Sequence, residues 1–201
     1  MSFSMNFARA LVPAAVIAAA APAIAADSPD MARLKSHITS VQTMTADFVQ
    51  TDARGRSAAG TLQLKRPGKV RFQYGSGDLL LVADGKTLTM VDYQVGQKSS
   101  WPLGRTPLGV LLSGSPDLKG RAKVIPSADP RIVSVRASDP SQYGSLTLVF
   151  LRSASAPGGL QLYGWTALDA QSRRTTVKLS DVRYNVAVPE SAFTYAEPKK
   201  G

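Results

Sequence analysis

The 201-residue chain contains no cysteine and a single histidine, His37. The first absence excludes disulfide frameworks, thiolate metal sites and cysteine nucleophiles. The second excludes every metal motif built on two imidazoles. A Ser-His-Asp triad would have to use His37, and no serine stands in a G-x-S-x-G elbow. Acidic residues are scarce, 14 against 24 Lys and Arg, giving a formal net charge of +10. No carboxylate pair lies at a spacing suited to general acid–base work, and no phosphate loop or metal-ligand set occurs. An enzyme is therefore the least supported class, with neither cofactor nor metal expected. The basic residues are scattered, with only short pairs such as Lys65-Arg66 and Arg173-Arg174, and no RNP-like aromatic signature or Cys/His finger accompanies them. Nucleic acid is not an expected partner. A solvated basic surface is the plain reading of this charge; attraction to anionic lipid head groups or acidic proteins is its functional version.

Long apolar runs are confined to the N-terminus. Arg9 precedes an apolar stretch from Ala10 to Ala21, and Ala23-Ile24-Ala25 fits the small-x-small cleavage rule. Pro13, Pro22 and the alanine-rich composition argue against a membrane span. Residues 1–25 read as a cleaved signal peptide, and 26–201 as a single exported domain, monomeric and periplasmic. At 44% hydrophobic residues the chain can bury a sizeable core.

Ser28-Pro29-Asp30 reads as a helix start, with an N-cap, proline at the first position and an acid in the first turn. Met31, Leu34, Ile38 and Val41 follow at helical spacing. His37 lies off that stripe and reads as an exposed, unremarkable helical residue. From Met44 the period changes to two. Met44, Ala46 and Phe48 alternate with polar neighbours, as do Leu62 and Leu64. Val70, Phe72 and Tyr74 alternate with Lys69, Arg71 and Gln73. Leu79 to Ala83 runs into an Asp84-Gly85 turn and returns through Thr87 to Val91. Further strands are expected over 132–137, 145–151, 160–168, 175–184 and 192–195. Such a series of short strands without βαβ alternation indicates one large antiparallel meander or open barrel.

One segment interrupts the strands. Thr106-Pro107 begins a two-turn helix that ends at Gly114, with Leu108, Leu111 and Leu112 on one face. Two turns are not stable alone, so the leucines must dock on something apolar. Two helices cannot fill the hollow of some nine strands. Either a second layer fills it, giving an ordinary β core, or a hydrophobic cavity remains.

Six motifs, in order, resemble one family. They are Thr45-Ala46-Asp47-Phe48-Val49-Gln50, Gly60-Thr61-Leu62-Gln63-Leu64, Lys65-Arg66-Pro67-Gly68-Lys69-Val70-Arg71-Phe72, Val82-Ala83-Asp84-Gly85-Lys86-Thr87-Leu88, Thr106-Pro107-Leu108 through Leu112, and Phe193-Thr194-Tyr195. Together they are similar to LolA, the lipoprotein carrier family of the bacterial periplasm. The resemblance implies a mainly β fold: a single open, incomplete antiparallel barrel, closed by an N-terminal helix and a short mid-chain lid helix over a hydrophobic cavity. It implies lipidated proteins as cargo, an inner-membrane ABC-type release complex as source and an outer-membrane lipoprotein receptor as destination. By matched position, Arg66 is the lid latch, bonding lid carbonyls. Leu62, Leu64, Val70, Phe72, Leu88, Met90, Leu108, Leu111 and Leu112 bind acyl chains. Phe193-Thr194-Tyr195 corresponds to a late strand. The rival reading is a periplasmic lipid-binding or envelope-sensing protein of related fold, and a glycan-binding β-protein is a weaker third.

Overall fold

Alternation of apolar and polar side chains organises nearly all of the chain into one sheet. The computed structural model describes residues 28–75, 77–106, 109, 112, 118, 122–138, 144–169 and 171–199. Helix α1 (Pro29–Ser40) opens the described chain. The Ser28 hydroxyl accepts from the Met31 N–H at 3.2 Å, Pro29 occupies the first turn, and Asp30 lies at its positive end. Eleven strands follow: β1 (Thr43–Thr51), β2 (Ser57–Lys65), β3 (Lys69–Tyr74), β4 (Leu79–Asp84), β5 (Thr87–Asp92), β6 (Gln97–Pro102), β7 (Ala122–Ile125), β8 (Ile132–Ser138), β9 (Ser145–Arg152), β10 (Leu160–Leu168) and β11 (Arg174–Tyr184).

The spatial order is β6-β5-β4-β3-β2-β1-β11-β10-β9-β8-β7, antiparallel throughout. Two meanders are thus zipped together where β1 meets β11. Among the described residues β6 and β7 stand at the edges and the sheet does not close. Residues 103–121 connect β6 at one edge to β7 at the other. Leu112 and Leu118 of that segment are buried.

The concave face holds two apolar clusters. Phe48, Leu62, Leu64, Val70 and Phe72 of the first meander gather with Val41 and Leu112. Val133, Val135, Leu146, Leu148 and Phe150 of the second gather with Leu34, Ile38 and Leu118. Leu162 and Trp165 touch both. Each fully buried Phe or Leu contributes about 1.5–3 kcal/mol. Between Thr45 and Asp47 of β1 the register shifts, because β11 bulges there with one extra residue at Asp181, whose φ is 48°. The extra residue shifts the alternation by one, so Val177 and Leu179 before it and Val182 and Tyr184 after it all pack inward.

Two expectations change here. The strand expected over 192–195 is instead a 3-10 turn (Glu190–Phe193) within a strap that crosses the outer face of the sheet. Val188 and Phe193 cover Leu80, Val82 and Val91, and the Arg71 guanidinium donates to the Ala192 and Thr194 carbonyls at 3.1 and 3.0 Å. Side-chain docking, not ladder pairing, buries Phe193. His37, expected to be exposed, is 5% exposed. It is covered because the Pro157–Gly159 turn packs directly on α1. A Cβ on Gly158, at φ 64°, would stand 2.5 Å from the His37 nitrogen and 2.7 Å from the Arg33 carbonyl. Strands β6 and β7 had no counterpart in the sequence reading. β6 is an edge strand with little apolar content and takes its order from its pairing with β5.

Candidate functional site

The strand ends nearest α1 and those furthest from it enclose two different spaces. Beneath α1 lies an apolar chamber walled by Leu62, Leu64, Val70, Phe72, Leu148 and Phe150 and roofed by Ile38, Val41 and Leu112. Among the described residues that line it, the only ionisable side chains are His37 and Arg66. Its void is about 70 Å³, roughly half of the ~150 Å³ that accommodates one benzene. A space of this size is too small for a long acyl chain. A second space of about 330 Å³ opens between the far strand ends. Its rim carries Gln50, Thr106, Ser145, Asp169, Arg173 and Thr175. Phe72, Leu146 and Trp165 line both spaces and form the wall between them. Phe72 meets Trp165 edge to face at 5.7 Å and Phe48 at 5.6 Å. At the rim, the Tyr74 hydroxyl donates to Gln50 Oε1 at 2.8 Å, and burial pushes its pKa up to about 12.

The roof has two parts, α1 and the mid-chain segment that carries Leu112. Helix α1 is fixed by the Gly158 contact and by His37 Nδ1, 2.9 Å from the Pro157 carbonyl oxygen. The imidazole stands edge-on to Phe150 at 5.2 Å and to Tyr184 at 5.4 Å. Burial lowers its pKa, and the nearby Arg66 charge lowers it further, against the opposing pull of the Pro157 carbonyl. Desolvation thus keeps this ring neutral. The mid-chain segment is held differently. The Gly68 N–H of the β2–β3 turn donates to the Leu112 carbonyl at 2.8 Å. That turn begins with a cis Arg66–Pro67 bond and is itself seated on the next hairpin, since a Cβ on Gly68 would lie 2.7 Å from the Gly85 Cα.

Arg66 lines the chamber, as Leu112 of the mid-chain segment does. Its guanidinium is desolvated, which pulls its pKa down to about 10, leaving it charged at neutral pH. Of the expected acyl-binding residues, Leu62, Leu64, Val70, Phe72 and Leu112 line the chamber together. Leu88 is buried in the same cluster without reaching the chamber wall. Met90 is a correction: it lies across from Leu81 on β5, beyond the roofed region, and is 38% exposed. Leu108 and Leu111 lie outside the described residues. Sequence reasoning missed His37, Met44, Leu146, Leu148, Phe150, Leu162 and Trp165 as lining residues. The inward alternation of 146, 148 and 150 could have found three of them.

The fold and the hollow together describe an open, curved antiparallel sheet with a helix packed over an apolar space, and sequence comparison makes the class specific. The family profile described as outer membrane lipoprotein carrier protein LolA matches residues 39–196, and the chain belongs to this family, one of carriers and not of enzymes. It is 29% identical to the outer-membrane lipoprotein carrier protein of Chromobacterium violaceum, covering 94% of this chain and 93% of that one. It is 30% identical to the protein of the same name from Pseudomonas entomophila, with 87% of each covered. Among solved structures, a LolA superfamily protein from Nitrosomonas europaea aligns with a TM-score of 0.45 at 11% identity, over 85% of this chain and 99% of that one. The Pseudomonas aeruginosa MucA/MucB complex aligns with a TM-score of 0.47 at 15% identity, over 85% and 62%.

Proposed function

We propose that this protein ferries lipoproteins across the periplasm by sheltering their acyl chains in the chamber beneath α1. The observation that carries the reading is the chamber itself, mostly apolar among the described residues apart from Arg66 and His37, with a backbone hydrogen bond joining the β2–β3 turn to Leu112 of its roof. A methylene leaving water gains about 0.8 kcal/mol, so a ~16-carbon chain gains on the order of 12 kcal/mol. A lipidated protein does not cross an aqueous gap unaided at that cost. A carrier must nearly match the membrane and still let go.

The closed roof supplies the means of letting go. Opening it gives up the Gly68–Leu112 hydrogen bond and the contacts around Arg66, which lowers the net affinity for cargo and favours onward transfer without nucleotide. Arg66 is the latch in this scheme. Its forked, permanently charged donors suit the capture of lid carbonyls. Leu62, Leu64, Val70, Phe72 and Leu112, with Leu108 and Leu111 of the same segment, hold the chains. Residues 1–25 direct export and are removed, leaving 26–201 as one monomeric domain. Cargo comes from an inner-membrane ABC-type release complex and goes to an outer-membrane receptor. The test is mass spectrometry of what co-purifies with the protein from periplasm. Lipidated polypeptide is the expected result; free phospholipid alone, or nothing, contradicts it.

A further inference from the structure

Two hairpin tips at the open end of the barrel are built alike. Asp52-Ala53-Arg54-Gly55-Arg56 joins β1 to β2, and Asp169-Ala170-Gln171-Ser172-Arg173 joins β10 to β11. In the first, Asp52 Oδ1 accepts from the N–H groups of Arg54 and Arg56, and Oδ2 from Arg56 Nε at 2.7 Å. In the second, Asp169 Oδ1 accepts from the N–H groups of Gln171 and Arg173, and Oδ2 from Arg173 Nε at 2.6 Å. The fourth position is left-handed in both, Gly55 at φ 80° and Ser172 at φ 59°. Because β1 pairs with β11, these twin tips stand side by side.

Between them, on the outer face, runs a groove lined by Val49, Thr51, Asp52, Arg173, Arg174, Thr176 and Lys178. The carboxylates of the two tips are both engaged, Asp52 by Arg56 and Asp169 by Arg173. Among the described residues, Arg54, Arg174 and Lys178 form no ion pair. Arg173 lines both this groove and the mouth of the inner space, so the groove is the outer lip of that mouth.

The geometry points to this groove as a contact site for the phosphate groups of anionic phospholipid at a membrane surface, one that turns the mouth of the second inner space toward the bilayer. Guanidinium, ammonium and threonine hydroxyl groups are phosphate donors. Arg54 projects from one tip beside the groove, and Arg174, Thr176 and Lys178 follow the other tip along β11. An acidic polypeptide is less well served. β1 and β11 are each paired on both sides, so the groove offers no free strand edge for a main chain to add to. Among the described residues it also offers only one large exposed apolar side chain, Val49 at 46%. The inference stands apart from the carrier reading, because it concerns an outer surface and not the chamber.

The experiment is co-sedimentation of the mature protein with vesicles of phosphatidylcholine alone or mixed with phosphatidylglycerol, at low and at physiological salt. The expected result is salt-sensitive binding to the mixed vesicles only. Arg54→Gln/Arg174→Gln/Lys178→Gln together should weaken it about 100-fold, roughly fivefold per charge. Lys86→Gln/Lys123→Gln/Arg136→Gln, removing equal charge elsewhere, should keep most of it. Equal loss in the two triple variants, or no binding to mixed vesicles, overturns the proposal. So does displacement by millimolar inorganic phosphate at constant ionic strength. Tighter binding of polyglutamate than of vesicles, abolished by the first triple, would make the groove a protein dock instead. Fatty-acid uptake by the first triple variant should be unchanged, so loss of vesicle binding alone leaves the carrier reading standing.

Discussion

The Gly68 N–H and the Leu112 carbonyl, 2.8 Å apart, join the β2–β3 turn to the segment that roofs the chamber. The bond depends on a turn with φ 75° at Gly68, pressed on Gly85. Gly68→Ala forces a Cβ into that contact and strains the backbone, at a cost of about 1–3 kcal/mol. The variant should show a lower denaturation midpoint and faster exchange of a bound fluorescent fatty acid. A lower midpoint with an unchanged exchange rate would mean the turn does not govern the roof.

Arg66→Leu replaces the one cation of the chamber wall with more hydrocarbon. Acyl uptake should persist, and transfer to an acceptor membrane or receptor should slow at least tenfold, since ~1.4 kcal/mol of lost closed-state stabilisation corresponds to a factor of ten. Stopped-flow discharge of a labelled lipopeptide measures this. A normal discharge rate removes Arg66 from the latch.

His37 supplies the pH prediction. Its folded pKa lies below the unfolded value of 6.5 because burial disfavours the charged ring. The unfolded chain therefore binds more protons than the folded one just below that value, and stability falls as pH drops through it. At neutral pH and above this penalty is absent. His37→Gln has no ring to titrate, so its denaturation midpoint should fall less than that of the wild type on acidification below pH about 6.5. Parallel midpoint–pH curves would contradict the assignment.

The strap over the outer face is held by contacts of unequal strength. Arg71 makes two hydrogen bonds to strap carbonyls from a partly buried position, and Arg71→Leu should cost about 2 kcal/mol. Glu190 pairs with Lys65 and Lys69, which hold its carboxyl down to about 2, but it is exposed. Solvent screens that pair, and Glu190→Gln should leave the urea midpoint unchanged. Hydrogen exchange at Val188 and Phe193 should rise in the first variant only.

Alternation made the strands legible. Val70 and Phe72 point inward and Arg71 outward, as their period requires, and Asp84 caps its turn by accepting from the Lys86 and Thr87 N–H groups at 2.8 Å. The resemblance to the carrier family supplied the hollow, which periodicity alone left undecided between a filled core and a cavity. Less could be read where burial comes from a distant partner. His37 lies off the apolar stripe of α1, yet a turn 120 residues later covers it. Phe193 alternates like a strand residue but is buried by docking on the outside of β4 and β5. Met90 has the right parity for the concave face but lies too near the sheet edge to be roofed. The twin Asp-Ala-x-x-Arg turns were present in the sequence, but their adjacency follows only from the pairing of β1 with β11.

The chain has two tryptophans, Trp101 and Trp165, and Trp165 stands in the wall between the two inner spaces. In a Trp101→Phe variant it becomes the sole indole reporter of the chamber. Titration with brominated palmitate should quench its fluorescence saturably at one protein equivalent or more, and unbrominated palmitate should restore the signal by competition. Unquenched emission, with the fatty acid nonetheless bound to the protein, would place the acyl chain outside the chamber and contradict the account.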